Sequence, residues 1–183
     1  KTWETLGSNV GPVYGIALED LCTRQFTNPP RNVVDDFLKK RGFRLPPLAK
    51  TYLEALRDSI PGVYEAVAVQ PGHGVTIREL LLGADPIDVI EVSGSRQIVQ
   101  WDKLVARVVE HGGKRVFTGG VFSLETERGK QLIDELRGML HGVAEKAGVA
   151  VDGASAAAAN VMRGSAPMPG GLRISQTLAR LHH

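Results

Sequence analysis

The sequence predicts an α+β fold: an N-terminal helical hairpin packed on a five-stranded antiparallel barrel-like sheet, then a C-terminal helix and a flexible tail. Three observations predict it. Between Tyr64 and Leu124, short β-rich runs are separated by turns of Gly, Pro and Asp, which is how a compact antiparallel sheet reads. On both sides of that stretch apolar residues recur at helical spacing. The runs are short and their turns rich in glycine, which suits a small, partly closed barrel of the SH3-like or OB kind better than a flat sheet, because closure removes exposed edges.

The helices come first. Residues 12–26 place Val13, Ile16, Ala17, Leu21 and Cys22 broadly on one face; Pro12 suits a first helical position, and Asn28-Pro29-Pro30 ends the segment. Cys22, on or beside that stripe, reads as a small hydrophobe rather than a nucleophile. A second helix runs from Arg31 or Asn32 to Lys40, with Val33, Val34, Phe37 and Leu38 as its apolar face. Its acids (Asp35, Asp36) come early, its bases (Lys39, Lys40, Arg41) come late, and Gly42 stands where a C-terminal cap belongs, an order that complements the helix dipole. A third follows Pro46-Pro47, with Leu48, Ala49, Tyr52, Leu53, Leu56 and Ile60 in register, and stops at Pro61-Gly62. The link between the last two is too long and proline-rich for a DNA-reading helix-turn-helix, so a plain helical hairpin is expected.

Five strands are then expected: Tyr64–Gln70 with Val67 and Val69 on one face, Val75–Leu82, Ile87–Val92, Lys103–Glu110 with Leu104, Ala106 and Val108 facing one way, and Lys114–Phe122. Pro71-Gly72-His73-Gly74 and His111-Gly112-Gly113 supply tight turns, where glycine admits positive φ. A helix over Glu125–Val143 carries a stripe from Leu132 to Val143. Its three glycines weaken it by about 1 kcal/mol each, so packing must hold it. Residues 1–143 thus read as one domain. Residues 144–183 read as an Ala/Gly/Pro-rich linker with a last helix over Leu172–Leu181. Lys1 and the closing Arg-Leu-His-His point to a piece of a longer chain.

Totals exclude more than they select. Of 183 residues, 43% are apolar and 23% charged, and the net charge is +2, too small to argue nucleic-acid binding by itself. Residues 31–60 hold seven bases against four acids, a local surplus that a solvated helix face accounts for. Cys22 is the only cysteine, which removes intramolecular disulfides and Cys-based zinc and fits a cytoplasmic setting. No run nears the about 18 apolar residues of a membrane span.

Catalytic signatures are equally scarce. The five histidines show no zinc spacing. Ser93-Gly94-Ser95 is a loop between strands, not a nucleophile elbow. Pro71-Gly72-His73-Gly74 is explained by a hairpin, and the acids from Glu79 to Asp102 form no acid–base pair. No catalytic residue, metal or cofactor is expected. A binding reading remains: basic residues spread over one small barrel beside a tryptophan, as barrels that bind single strands by stacking and charge require. The candidate binding residues are Arg78, Ser95, Arg96, Trp101, Lys103 and Arg107. Phe117 and Phe122 fall on opposite faces unless Gly119-Gly120 forms a bulge.

The segments Tyr52–Ser59, Tyr64-Glu65, Pro71–Val75, Arg78–Leu81, Ser93–Arg96, Trp101-Asp102, Ala106–Val108 and Thr118–Gly120 resemble a domain of bacterial proteins of unknown function, some of which carry a SEC-C type zinc motif. The resemblance spans residues 31–124 and implies a recurrent module of longer chains. The motif's cysteines are missing here, so no zinc role carries over. The expected function is a non-enzymatic binding or assembly module whose partner is another protein or the remainder of its own chain. The alternative is a nucleic-acid-binding barrel, and a third reading is an unrecognised hydrolase.

Overall fold

The computed structural model describes residues 10–27, 30–81 and 83–147; the predicted helix at 172–181 and most of the predicted linker lie outside them. Helix α1 spans Val10–Thr23, and a two-residue pair of strands, β1 (Phe26–Thr27) and β2 (Pro30–Arg31), turns the chain into α2, Val33–Arg41. The side chain of Asn32 caps α2 by accepting the Asp35 N–H at 3.0 Å. After one 3₁₀ turn, α3 runs Pro47–Asp58 with proline at its N-terminus, where a missing N–H costs nothing.

Five strands follow: β3 Pro61–Gln70, β4 Gly74–Glu79, β5 Ile87–Ile90, β6 Lys103–His111 and β7 Lys114–Leu124. Their order is β3-β4-β5-β7-β6, and β6 pairs again with β3, so the sheet closes. It is mixed rather than antiparallel: β5 and β7 run parallel, joined at Ile90–Val116. Parity requires this. Neighbours around a closed ring cannot all alternate in direction when the strands number five, so one seam has to be parallel, and the shortest strand takes it.

Two cores result. Inside the sheet, Ile77, Leu104 and Ala106 are fully buried together with Ala66 and Val89. On the outside of β3 and β6, Val63 and Val105 pack beneath α4 (Thr126–Ala147), whose Leu132, Ile133, Leu136 and Leu140 form the predicted stripe. In β3 a bulge between Ala66 and Ala68 breaks the alternation, so Ala66 and Val69, not Val67 and Val69, meet the interior cluster. In β7 the extra residues are Gly119 and Gly120, since Thr118 pairs with Arg107 and Val121 with Ala106. A two-residue insertion preserves parity. Phe117 therefore packs on the inner core and Phe122 on the outer one, on opposite faces despite the bulge.

The helical layer departs most from expectation. Leu48, on the first turn of α3, is exposed, and in α2 only Val34 is buried while Val33 and Phe37 turn outward. In α1, Ile16 is buried, but Leu21 and Ala17 of the predicted stripe face out. The bulge of β7 dictates that orientation. A Cβ on Gly15 would stand 1.6 Å from the Gly119 carbonyl oxygen, and one on Gly120 2.7 Å from Pro12 Cα. Backbone meets backbone there, and α1 can dock only through the face that carries Pro12, Gly15 and Glu19.

Candidate binding site and a buried charge cluster

Arg78 of β4 and Lys103 of β6 both stand opposite Glu65 of β3, a register that forms one row of side chains across three strands. Arg78 Nη2 donates to Glu65 Oε2 at 2.8 Å, and Lys103 Nζ donates to Oε1 at 2.6 Å. The Lys103 hydrogen bond, aided by Arg78, holds the Glu65 carboxyl below the usual carboxylate range. Two of the predicted cations thus share one anion and leave a single net positive charge on the row.

Ser95 is wholly buried. Its Oγ accepts the Gly72 N–H at 2.9 Å and donates to the Val92 carbonyl at 3.2 Å, which fastens the 3₁₀ turn Gly94–Arg96 to the β3–β4 turn. Gly72 has φ 81°, and a Cβ there would lie 3.7 Å from Arg96 Nη2. Arg96 itself is exposed, and no described carboxylate pairs with it.

Trp101 is the outlier of the backbone: it is the one non-glycine with positive φ (76°) among the described residues, and it is 57% exposed. Such a conformation costs a bulky residue on the order of 1–3 kcal/mol. Hydrogen bonds on both sides impose it. Trp101 N–H donates to the Ala66 carbonyl at 2.7 Å, Ala66 N–H to the Asp102 carbonyl at 3.0 Å, and Asp102 N–H to the Val99 carbonyl at 3.1 Å. Asp102 Oδ2 also accepts the Val99 N–H at 2.8 Å, and Gln100 Nε2 donates to the Val67 carbonyl at 2.8 Å. The turn is rigid, and it holds Val99, 64% exposed, and Trp101 toward solvent.

Arg107 lies elsewhere. It follows Val105 on the outer face of β6, beneath α1 and α3, and is 1% exposed. Nη1 donates to the Ser59 carbonyl at 2.7 Å and to Ser59 Oγ at 3.0 Å, which satisfies groups left over at the C-terminus of α3. Nη2 reaches Thr23 Oγ1 at 3.1 Å, and Nε lies 3.4 Å from Glu19 Oε2. Glu19 accepts the Thr118 hydroxyl at 2.7 Å. Burial raises the Glu19 carboxyl, with the Thr118 hydrogen bond and Arg107 acting against it. Burial likewise lowers the Arg107 guanidinium against the pull of Glu19. Tyr52 of α3 meets His111 of β6 edge-on at 5.5 Å beside this cluster.

Of the six predicted residues, then, Arg78 and Lys103 form one paired row, Ser95 and Arg96 sit on the β3–β4 turn, Trp101 projects alone and Arg107 is interior. Glu19, Thr23, Ser59 and Thr118 were not singled out from the sequence. A signal existed in α1, where Glu19 and Thr23, four apart, lie opposite Leu18 and Leu21 on a helical wheel. Among the described residues, no group of three metal-binding side chains occurs and no helix is long and apolar enough to cross a membrane. No protein-family model, curated protein or solved structure matches the chain.

Proposed function

We propose that the chain is a non-enzymatic binding module whose contact surface is the Ser93–Trp101 connection, with Trp101 as its anchor. The observation that carries this reading is the exposed tryptophan held at positive φ by its N–H donating to the Ala66 carbonyl and by the hydrogen bonds that tie Asp102 to Ala66 and Val99. Backbone strain that the surroundings over-determine is a mark of functional positions, and a rigid aromatic loses little entropy on docking. Val99 widens the apolar contact and Arg96 offers an unpaired cation to an acidic group of the partner. The resemblance to a recurrent module of longer bacterial chains belongs with this reading.

Selection from a random peptide display library tests it. Enriched peptides are expected to bind the wild-type chain and to lose at least about tenfold in affinity for Trp101→Ala. The reading is overturned if nothing enriches, or if the enriched binders are indifferent to Trp101→Ala and Val99→Asp alike.

A nucleic-acid reading keeps Trp101, Arg96 and the Arg78–Glu65–Lys103 row, and it loses Arg107. If only Arg96 and the net charge of that row meet the phosphates, the salt dependence is shallow. Polarisation titration of a labelled mixed-sequence single strand decides: affinity at low salt that falls as salt rises and vanishes in Trp101→Ala would put this reading first.

A further inference from the structure

Residues 39–50 hold five bases and no acid. Lys39 pairs with Asp35, and Lys50 stands 3.9 Å from Glu54. Among the described residues no carboxylate pairs with Lys40, Arg41 or Arg44, and all three are exposed. The acids just before them in the chain are already taken, Asp35 by Lys39 and Arg57 and Asp36 by Arg31. At the same corner, where α2 gives way to α3, Phe43 and Leu48 are 76% and 63% exposed. Pro46 and Pro47, which lie between them, are exposed too. The corner is an apolar tip flanked by unpaired cations.

We propose that this corner docks on a membrane surface that carries anionic lipid, with Phe43 and Leu48 entering the boundary of the acyl chains and Lys40, Arg41 and Arg44 meeting the headgroups. The unpaired charge selects an anionic partner. Three further observations select lipid among anionic partners. The tip has little backbone to desolvate: Pro46 and Pro47 carry no N–H, the Leu45 N–H donates to the Gly42 carbonyl at 3.2 Å, and the Pro46 carbonyl accepts the Lys50 N–H at 3.1 Å. The tip is also small. A stable protein contact needs about 20–30 residues a side, whereas binding at a bilayer surface grows simply with the apolar area inserted and the attraction to anionic headgroups. A nucleic acid would use the Phe43 ring as a stacking platform, but the Arg44 guanidinium already lies over that ring, 5.3 Å from its centroid, and Leu48 offers no ring at all.

Co-sedimentation of the chain with vesicles tests the proposal, using phosphatidylcholine alone and phosphatidylcholine with about one-third phosphatidylglycerol. Binding is expected to the anionic vesicles, to weaken as salt rises, and to be absent from the neutral ones. Each cation is expected to account for about fivefold in partitioning, so Lys40→Ala/Arg44→Ala should lose roughly 25-fold. Phe43→Ala should lose about tenfold with every charge kept. Circular dichroism checks that the variants fold, and Leu48→Ala replaces Phe43→Ala if that one does not. The proposal is overturned if the anionic vesicles are not bound at low salt. It is equally overturned if binding ignores both Phe43→Ala and Leu48→Ala, which would be adsorption by charge alone. A labelled single strand that binds through Phe43 and Arg44 where vesicles do not would make nucleic acid the occupant instead. Trp101→Ala should leave vesicle binding unchanged; a loss there, with Phe43→Ala unaffected, moves the contact to the barrel and also overturns the proposal.

Discussion

Glu65 and Glu19 are each paired with an arginine, and their partners sit in very different surroundings. Glu65 lies on the outer face of the sheet between Arg78 and Lys103, with water in reach of all three. Glu19 projects from the inner side of α1 against an arginine that is 1% exposed. In the first case the cations dominate and the carboxyl is held low. In the second, loss of water dominates and the carboxyl is pushed up although a guanidinium stands beside it. The same two residue types make a surface row that orders strands and an interior clamp that holds two helices to a barrel. What separates them is the partner: Glu65 takes hydrogen bonds at 2.8 and 2.6 Å from two partly exposed cations, whereas Glu19, no less exposed itself, has one interior guanidinium 3.4 Å away.

The largest effect should come from breaking the interior pair. Arg107→Ala leaves Glu19 buried without its counter-charge and removes the donors that satisfy Leu56 and Ser59 at the end of α3. A loss of about 3–5 kcal/mol is expected in urea unfolding. Arg78→Ala on the surface should cost about 0–1 kcal/mol, since exposed pairs contribute little. The double variant Arg107→Met/Glu19→Gln should recover part of the loss, because a neutral pair leaves no charge to be desolvated. Equal losses for Arg107→Ala and Arg78→Ala would erase the distinction between the two sites.

Next in size is the contact that sets the clamp in place. Gly15→Val puts a branched side chain where the Gly119 carbonyl already stands, and neither backbone can yield without moving α1. The expected cost is at least about 1–3 kcal/mol. Gly11→Ala on the same helix meets open space and should be neutral or slightly stabilising. The two together separate a requirement for close approach from any intolerance of α1 to substitution.

Trp101 should behave in the opposite sense. Trp101→Gly relieves the positive φ and removes an exposed side chain, so stability should rise by up to about 1 kcal/mol once the greater freedom of glycine in the unfolded chain is allowed for. Binding by the Ser93–Trp101 loop should be lost in the same variant. A substitution that stabilises the fold while removing affinity distinguishes a contact residue from a structural one. A destabilised Trp101→Gly would mean that the indole is held by packing.

The strands were legible from the sequence because a two-residue period with glycine turns leaves few alternatives. All five expected strands exist, within a few residues of where Tyr64–Gln70 and its successors placed them. The parallel seam was legible in principle, since five strands and closure together force it. The orientation of α1 was legible only in part: Val13 and Ile16 of the expected stripe meet the core, whereas Ala17 and Leu21 face out. Two apolar stripes compete on that helix, Val13 with Ile16 on one side and Tyr14, Leu18 and Leu21 on the other, and the expected face mixed members of both. The choice is made from outside the helix, by Gly119, Gly120 and Arg107, about a hundred positions away along the chain. Arg107 was drawn into the binding set for the same reason: alternation showed that it shares a face with Lys103 and Val105, but not that two helices cover that face.

The smallest effects, and the sharpest comparison of the two glutamates, lie in the pH dependence. Glu19 has a folded pKa above its unfolded one, so between the two the native state holds more protons and stability falls as pH rises from the ordinary glutamate value of about 4.3 upward. Glu65 has a folded pKa below its unfolded one, so its contribution is present above that value and is lost as pH falls through the folded pKa. The two slopes have opposite signs on opposite sides of one pH. Urea midpoints followed from about pH 3 to pH 7 should therefore lose the acid-side rise in Glu65→Gln and the decline at higher pH in Glu19→Gln. In Arg107→Met the decline should deepen, since the cation opposing the burial of Glu19 is gone. If Glu19→Gln leaves the curve above pH 4.3 unchanged, burial does not govern that carboxylate, and Arg107 neutralises it as fully as Lys103 neutralises Glu65.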